Sequence, residues 1–188
     1  MAIVEAKNLF KSYGGKSAVN DLSFTVEPGE ILGVIGPNGA GKSSTIRMIL
    51  DFIRPDSGEI KLFGGGMKES LKNRIGYLPE EKGLYRNLSV MGLILYLSSL
   101  KGVDRPTAKK RALVLLERTG LVESSERKIR QLSKGMGQMI QLIVTILHDP
   151  ELIILDEPFS GLDPVNLDAL KAIVLEMKQA GKTIIFST

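Results

Sequence analysis

The segment that decides the fold of this chain is GPNGAGKS, residues 36–43. It follows a short apolar run, ILGVIG (31–36), and leads into KSSTIRMILDFI (42–53), whose apolar residues have helical spacing. The segment matches the phosphate-loop pattern G-x-x-x-x-G-K-[ST]. A chance match in a chain of this size has a frequency on the order of one per cent, so an ordinary glycine-rich turn is the weaker explanation. The sequence therefore predicts a nucleotide-binding site at a strand–loop–helix junction.

The residue types in this loop suit phosphate. Glycines let backbone N–H groups approach phosphate oxygens without an intervening Cβ, and the helix that begins near Lys42 adds the positive end of its dipole. We expect Lys42 to reach the β- and γ-phosphates of ATP and to act in catalysis, and the Ser43 hydroxyl to hold Mg²⁺. The other residues predicted to bind the nucleotide here are Gly36, Pro37, Asn38, Gly39, Ala40, Gly41 and Ser44.

Two carboxylates end a second apolar run, LIILDEP (152–158). Charges at the end of a buried strand need water or a partner, and a merely solvated strand end is the alternative. In phosphate-loop proteins the acid at this strand end holds Mg²⁺, and we assign that role to Asp156. Glu157 is then free to accept a proton from an attacking water, as a catalytic base.

The order of the patterns predicts an α/β fold. Continuous apolar runs in ILGVIG, ELIILDE and KTIIFST read as strands buried on both faces, and helical patterns separate them. Before them, DLSFTVEPGE (21–30) and GEIKLFGG (58–65) alternate apolar and polar residues as half-buried strands do. We expect a parallel sheet covered by helices on both faces.

A helical block is predicted in the middle of the chain. Three helical patterns lie between Ser89 and His148, and we expect this block to be a separate lobe inserted between the first two core strands. His148 ends the third pattern and is the single histidine of the chain. We expect it to be a helix cap or a surface residue.

Composition sets broad limits. The 188 residues are 43% hydrophobic and 24% charged, which is close to a globular average and disfavours disorder. The chain has no cysteine, so it has no disulfide framework, and a reducing cytoplasm is the expected setting. The longest apolar stretches are shorter than a membrane helix or are interrupted by polar residues. A net charge of +4 decides little about partners.

Together these motifs resemble the ATP-binding subunits of ABC transporters, over residues 4–188. Residues 36–43 resemble the Walker A loop of that family, and residues 152–157 resemble Walker B with its catalytic glutamate. SGLD (160–163) resembles the loop that follows Walker B. Tyr13 resembles the aromatic residue that stacks on adenine, and an ordinary strand tyrosine is the alternative there.

LSKGM (132–136) lies where the family carries its signature, usually leucine, serine, glycine, glycine, glutamine. In that family two subunits pair head to tail, and each signature helix points at the γ-phosphate held by the other subunit. The resemblance implies that Ser133 and the Gly135 backbone contact the partner's ATP. This chain departs from the usual signature at Lys134 and Met136, and a simple glycine-containing helix cap is the alternative.

Glu80 occupies the position where the family usually has the glutamine of the Q-loop. A carboxylate there can approach Mg²⁺, but it adds negative charge beside the phosphates, and we include it as a candidate metal ligand. YLPEEKGLY (77–85) and LSKGMGQ (132–138) are similar to the branch of the family that serves sodium, drug or antibiotic efflux. The resemblance therefore favours export.

The resemblance implies a P-loop NTPase core, an N-terminal antiparallel β subdomain and an inserted helical subdomain. We expect a single ATP-binding domain over residues 1–188, with the β subdomain and core at about 1–83 and 149–188 and the helical subdomain at about 84–148. The family's switch histidine would follow TIIFST (183–188). We therefore expect the domain to be incomplete at its C-terminus, with weak or absent ATPase activity in this form.

The activity implied is ATP hydrolysis with Mg²⁺, coupled to transport. The expected partners are a second ATP-binding subunit and a separate transmembrane permease, at the cytoplasmic face of the membrane, and no nucleic acid is expected. One alternative is a soluble ABC protein that acts in translation or DNA maintenance, and another is a chain that binds ATP without hydrolysing it. A phosphate-loop kinase explains neither LSKGM nor SGLD.

Overall fold

Two sheets of different type organise the chain. The computed structural model describes residues 1–81 and 83–188. A three-stranded antiparallel sheet has the order β2-β1-β4, and a four-stranded parallel sheet has the order β3-β7-β6-β5. This arrangement confirms the predicted α/β fold with an N-terminal antiparallel part.

The antiparallel sheet is built by β1 (Val4–Tyr13), β2 (Lys16–Val26) and β4 (Ser57–Leu62). A two-residue turn at Gly14 and Gly15, both with positive φ, joins the first two strands, as in tight hairpins. Apolar residues alternate toward the core along β2 and β4, as the sequence predicts. The sheet also places the end of β1 beside the loop that follows β3.

The parallel sheet consists of β3 (Ile31–Val34), β5 (Ile75–Leu78), β6 (Leu152–Leu155) and β7 (Thr183–Ser187). The strand β5 was not predicted, because IGYL is short and contains a glycine. The helical block does lie between the two predicted core strands, β3 and β6, but β5 precedes it, so the block is inserted between β5 and β6. All four residues of β6 are buried, as expected for a central strand.

The prediction that ILGVIG is buried on both faces holds only in part. In the described residues β3 pairs only with β7 and therefore lies at the edge of the parallel sheet. Both faces of β3 contact buried apolar residues, through Ile31 on one side and Leu32 and Val34 on the other, but Gly33 is exposed and Ile35, just after the strand, is 79% exposed. Continuous apolarity did not distinguish an edge strand from a central one.

Within residues 1–81 and 83–188, five α-helices accompany the sheets. Helix α1 (Lys42–Ile49) follows the glycine-rich loop, and α5 (Pro164–Gln179) connects β6 to β7. The predicted three-helix block is confirmed as α2 (Val90–Leu100), α3 (Arg105–Arg118) and α4 (Lys134–Ile146). Short 3₁₀ helices occupy Glu69–Arg74, Val122–Ser124 and Ile129–Gln131.

In the described residues the buried apolar side chains form three clusters. One cluster joins the three-helix block to the parallel sheet, with Leu93, Met139 and Ile143 fully buried. A second cluster lies between the two sheets, around Val4 and Ile46. None of the helices in the described part of the chain combines the length and apolar character that crossing a membrane requires.

Candidate functional site

The loop between β3 and α1 has two positions where the backbone conformation favours glycine. Gly39 and Gly41 have φ of 85° and 86°, in the left-handed region. A Cβ at Gly41 would lie 2.0 Å from the carbonyl oxygen of Ala18, which is backbone and cannot move aside. The Gly36 N–H donates to the Thr188 carbonyl at 3.1 Å, which ties the start of the loop to β7. The loop thus presents its amides at the N-terminus of α1, where anions are favoured.

Lys42 is the first residue of α1 and is buried beneath the loop. Its Nζ donates to the carbonyl oxygen of Gly36 at 2.6 Å and, more weakly, to that of Pro37 at 3.4 Å. It also pairs with Glu157 Oε1 at 3.0 Å. The ammonium group therefore lies among oxygen acceptors, in an environment that phosphate oxygens could also provide.

Asp156 follows β6 directly and is only 2% exposed. The Ser43 Oγ lies 3.4 Å from its Oδ1, so the hydroxyl and the carboxylate face each other. Ser187 Oγ donates to the same Oδ1 at 2.6 Å. Hydroxyl and carboxylate oxygens are ligands that suit Mg²⁺, and these two residues fit the ion. In the described residues no group of three or more His, Cys, Asp or Glu side chains could hold a metal.

Glu157 has an unusual backbone for a residue with a side chain. Its φ is +49°, in the left-handed region that non-glycine residues rarely adopt. Its N–H donates to Ser187 Oγ at 2.8 Å, and its carboxylate is turned toward Lys42. The backbone bend places the two consecutive acids in different surroundings, with Asp156 beside Ser43 and Glu157 beside Lys42.

The phosphate loop and Glu157 line one cleft of about 450 Å³, and Asp156 contacts Ser43 without being part of this lining. Its lining consists of Tyr13, Ala18, Pro37, Asn38, Gly39, Ala40, Gly41, Lys42, Ser43, Ser44, Glu80 and Glu157. Tyr13 stands at the end of β1 with 49% of its surface exposed, and Lys11 Nζ lies 5.6 Å from its ring centroid. Glu80 is exposed on the same cleft. Most of the residues predicted to bind nucleotide or metal therefore meet here.

Ser133 and Gly135 do not line this cleft. Ser133 is the N-cap of α4, and its hydroxyl accepts the Met136 N–H at 3.2 Å. Gly135 packs closely on the next helix, since a Cβ there would lie 3.0 Å from Asn166 Nδ2. Asp163 caps that helix, and hydrogen bonds from Asn166 hold the pKa of Asp163 below its ordinary value. The SGLD loop and the start of α4 thus form one packed unit outside the cleft.

Sequence reasoning missed Ser187, which contacts both acids at the sheet edge. A lone serine near the end of an apolar run carries no motif. The available signal was its position, because parallel strands end at one edge of the sheet and KTIIFST was predicted to be such a strand. His148 also differs from expectation: it is half-buried and contacts the Ile75 carbonyl at 3.2 Å through Nε2, so it is neither a cap of its own helix nor fully exposed.

Comparison with known proteins agrees with this geometry. A protein-family model described as ABC transporter matches residues 19–160. The chain is 43% identical over 178 residues to an uncharacterized ABC transporter ATP-binding protein, YhaQ, of Bacillus subtilis, covering 95% of this chain and 60% of that protein. It is 37% identical over 189 residues to the linearmycin resistance ATP-binding protein LnrL of Bacillus subtilis, covering 99% of this chain and 61% of that protein. The chain thus spans less than two thirds of the length of these relatives.

A solved structure is similar along almost the whole chain. It is described as the ATP binding subunit of an ABC transporter and superposes with a TM-score of 0.90 at 32% identity. The match covers 99% of this chain and 79% of the solved one.

Proposed function

The chain belongs to the ABC transporter family, and on this premise we propose that it is the ATP-hydrolysing subunit of an exporter. Members of the family bind ATP, typically with Mg²⁺. The observation that carries the proposal is the meeting of the phosphate loop, Asp156 and Glu157 around one cleft at one edge of the parallel sheet. A separate transmembrane permease would carry the cargo, with this subunit peripheral on the cytoplasmic face of the membrane.

The residues of the site would have different roles in phosphoryl transfer. The loop amides and Lys42 bind and orient the phosphates, and Ser43 with Asp156 would hold Mg²⁺, which neutralises charge on the phosphate oxygens. When phosphate oxygens become the acceptors for Lys42, its ion pair with Glu157 is released. The Glu157 carboxylate can then take a proton from the attacking water. Tyr13 would stack on the adenine, and Glu80 remains a candidate third protein ligand of the ion.

The proposal includes a second ATP-binding subunit, either another copy or a related chain. Ser133 and Gly135 do not line the cleft that holds the phosphate loop, so a phosphate contact by these residues would be made to another subunit's nucleotide. The Ser133 oxygen accepts the Met136 N–H, and its own O–H hydrogen is free to be donated outward. This arrangement suits a head-to-tail pair in which each α4 faces the ATP of its partner.

Replacing the proposed base tests the function. Glu157→Gln in the full-length protein should lower the ATPase rate by about 10²- to 10⁴-fold, since the amide cannot accept the proton, while ATP affinity is kept. A dimer should then accumulate with ATP and Mg²⁺ in size-exclusion chromatography. Glu151→Gln is the matched control, because Glu151 pairs with Arg74 away from the cleft. Wild-type turnover in Glu157→Gln would refute the assignment of the base.

The transport role is tested separately by fractionation of native cells. Retention with a multi-span membrane protein after a high-salt wash supports the exporter, and identification of that protein gives the route of the cargo. Recovery with ribosomes or DNA would leave the ATPase intact and would favour a soluble ABC protein.

A further inference from the structure

One hydroxyl group links both acids of the candidate site. Ser187 is fully buried, with 0% of its surface exposed. Its Oγ donates to Asp156 Oδ1 at 2.6 Å and accepts the Glu157 N–H at 2.8 Å. A serine hydroxyl has a single hydrogen and two lone pairs, so both bonds can be made at once and their directions are fixed.

The sheet topology brings Ser187 to this place. β7 lies between β3 and β6, and the register pairs Leu155 with Phe186 and Val34 with Ser187. Ser187 is therefore at the carboxyl end of β7. On one side lies β3, which leads to the phosphate loop, and on the other lies β6, which leads to the acids. No other side chain in the described residues donates to Asp156 Oδ1 as closely: Ser43 approaches it at 3.4 Å.

The bond to the Glu157 N–H has a particular consequence. The φ of +49° at Glu157 is uncommon for a residue with a Cβ, and such conformations persist where the surroundings hold them. The Ser187 oxygen is the acceptor that holds this N–H. The same bend turns the Glu157 carboxylate toward Lys42 and away from Asp156.

We propose that Ser187 is a positioning residue for ATP hydrolysis: one hydroxyl fixes the carboxylate of Asp156 and the backbone of Glu157. This inference rests on the proposed function of these two acids. Replacing a residue that hydrogen-bonds to a metal ligand commonly lowers metal affinity or activity by about 10- to 100-fold. Ser187 should therefore affect the rate and the Mg²⁺ requirement more than it affects ATP binding.

The test compares three variants of the full-length chain. Ser187→Ala removes both hydrogen bonds, and Ser187→Thr keeps the hydroxyl. Thr183→Val is the matched control, since Thr183 lies on the same strand, is 1% exposed and accepts a backbone N–H, that of Gly29, at 2.9 Å. Thr183 lies about 13 Å along β7 from Ser187, at the other end of the strand.

The first readout needs neither nucleotide nor turnover. In the nucleotide-free protein, hydrogen exchange of the Glu157 amide, followed by ¹⁵N NMR, should be at least tenfold faster in Ser187→Ala than in wild type and unchanged in Thr183→Val. Protection equal to wild type in Ser187→Ala would show that the hydroxyl does not hold this N–H and would overturn the proposal.

The second readout is steady-state ATPase activity. In Ser187→Ala, kcat should fall about 10- to 100-fold and the Mg²⁺ concentration for half-maximal rate should rise, with little change in KM for ATP. Ser187→Thr should recover most of the rate, and Thr183→Val should keep it even where its melting temperature falls as much as that of Ser187→Ala. An unchanged kcat in Ser187→Ala, or an equal loss in Thr183→Val, would overturn the inference. A wild-type protein without turnover would instead overturn the proposed function, and amide exchange would still decide whether Ser187 holds Glu157.

Discussion

At the scale of single residues, Lys42 shows how a buried charge at the cleft is balanced by its neighbours. Its ammonium group is buried, and it is paired with Glu157 and with the Gly36 carbonyl. A buried charge without partners is costly, and these contacts offset that cost for the Lys42 ammonium group. In the proposed function, phosphate oxygens would replace these partners of Lys42, and the Glu157 carboxylate would be released in the same step.

His148 lies in a second titratable environment, away from the cleft. It is half-buried, its Nε2 contacts the Ile75 carbonyl, and its Nδ1 has no hydrogen-bond partner. Burial, reinforced by the positive charges of Lys101 and Arg111, lowers the pKa of His148 from 6.5 to about 4, although the Ile75 carbonyl and Asp149 act in the opposite direction. The folded protein therefore keeps this imidazole neutral.

This shift predicts a dependence of stability on pH. Between pH 6.5 and about 4 the unfolded chain binds a proton at His148 and the folded chain does not, so the free energy of unfolding should fall as pH falls through this window. Above pH 6.5 both states are neutral and the contribution is constant. His148→Gln can still donate to Ile75 but does not titrate, and it should lose less stability than wild type between pH 7.5 and pH 5 in urea unfolding. The same loss in both proteins would contradict the assignment.

At the scale of elements, α4 lies directly on β5. A Cβ at Gly76 would lie 2.4 Å from the Thr145 carbonyl oxygen and 3.0 Å from Pro150 Cγ. Gly76→Ala should therefore destabilise the protein by about 1–3 kcal/mol, the usual cost of overpacking, measured by urea unfolding. Gly65→Ala is the control, because a Cβ there meets no atom within 4 Å. Equal stability of the two variants would mean that this helix can move off the sheet at little cost.

The start of α4 allows capping to be separated from phosphate contact. Ser133→Ala removes the oxygen that accepts the Met136 N–H and should cost about 1 kcal/mol of stability. Ser133→Asp keeps a good cap, so its melting temperature should stay near wild type. If Ser133 also contacts a partner's phosphate, the added carboxylate should repel it and ATPase activity should be lost. Wild-type turnover in Ser133→Asp would leave Ser133 as a cap only.

The elements also show which features the sequence could predict. The phosphate loop and the Asp156–Glu157 pair were predictable because each depends on a few consecutive residues. The strand β5 was missed, and the position of β3 at the edge of the sheet was not predicted, because the place of a strand in a sheet depends on which neighbours pair with it. The role of Ser187 depends on register between strands that are far apart in sequence, and no local pattern reports it.

At the scale of the whole molecule, the last strand in the sequence is central in the parallel sheet. β7 joins the strand of the phosphate loop to the strand of the acids, so groups from three distant segments meet at one edge. Ser133 and Gly135 are absent from the lining of that cleft. In the proposed function the molecule would therefore use two separate surfaces, its own phosphate-loop cleft and the start of α4, which would face the nucleotide of a second subunit.

A mixing experiment tests whether two copies of the chain complete each other's sites. Lys42→Ala removes the phosphate-binding lysine, and Ser133→Asp places a negative charge on the surface offered to the partner, so each variant alone should be inactive. In a head-to-tail pair of the two variants, one site combines the intact Lys42 of one copy with the intact Ser133 of the other. Random pairing makes half of the dimers mixed, each with one intact site of two, so ATPase activity should recover to about a quarter of the wild-type rate.

Mixing Lys42→Ala with Glu157→Gln is the control and should recover nothing, because Lys42 and Glu157 line the same cleft and each site of the mixed pair lacks one of them. No recovery in the first mixture would contradict a sandwich made of two copies of this chain.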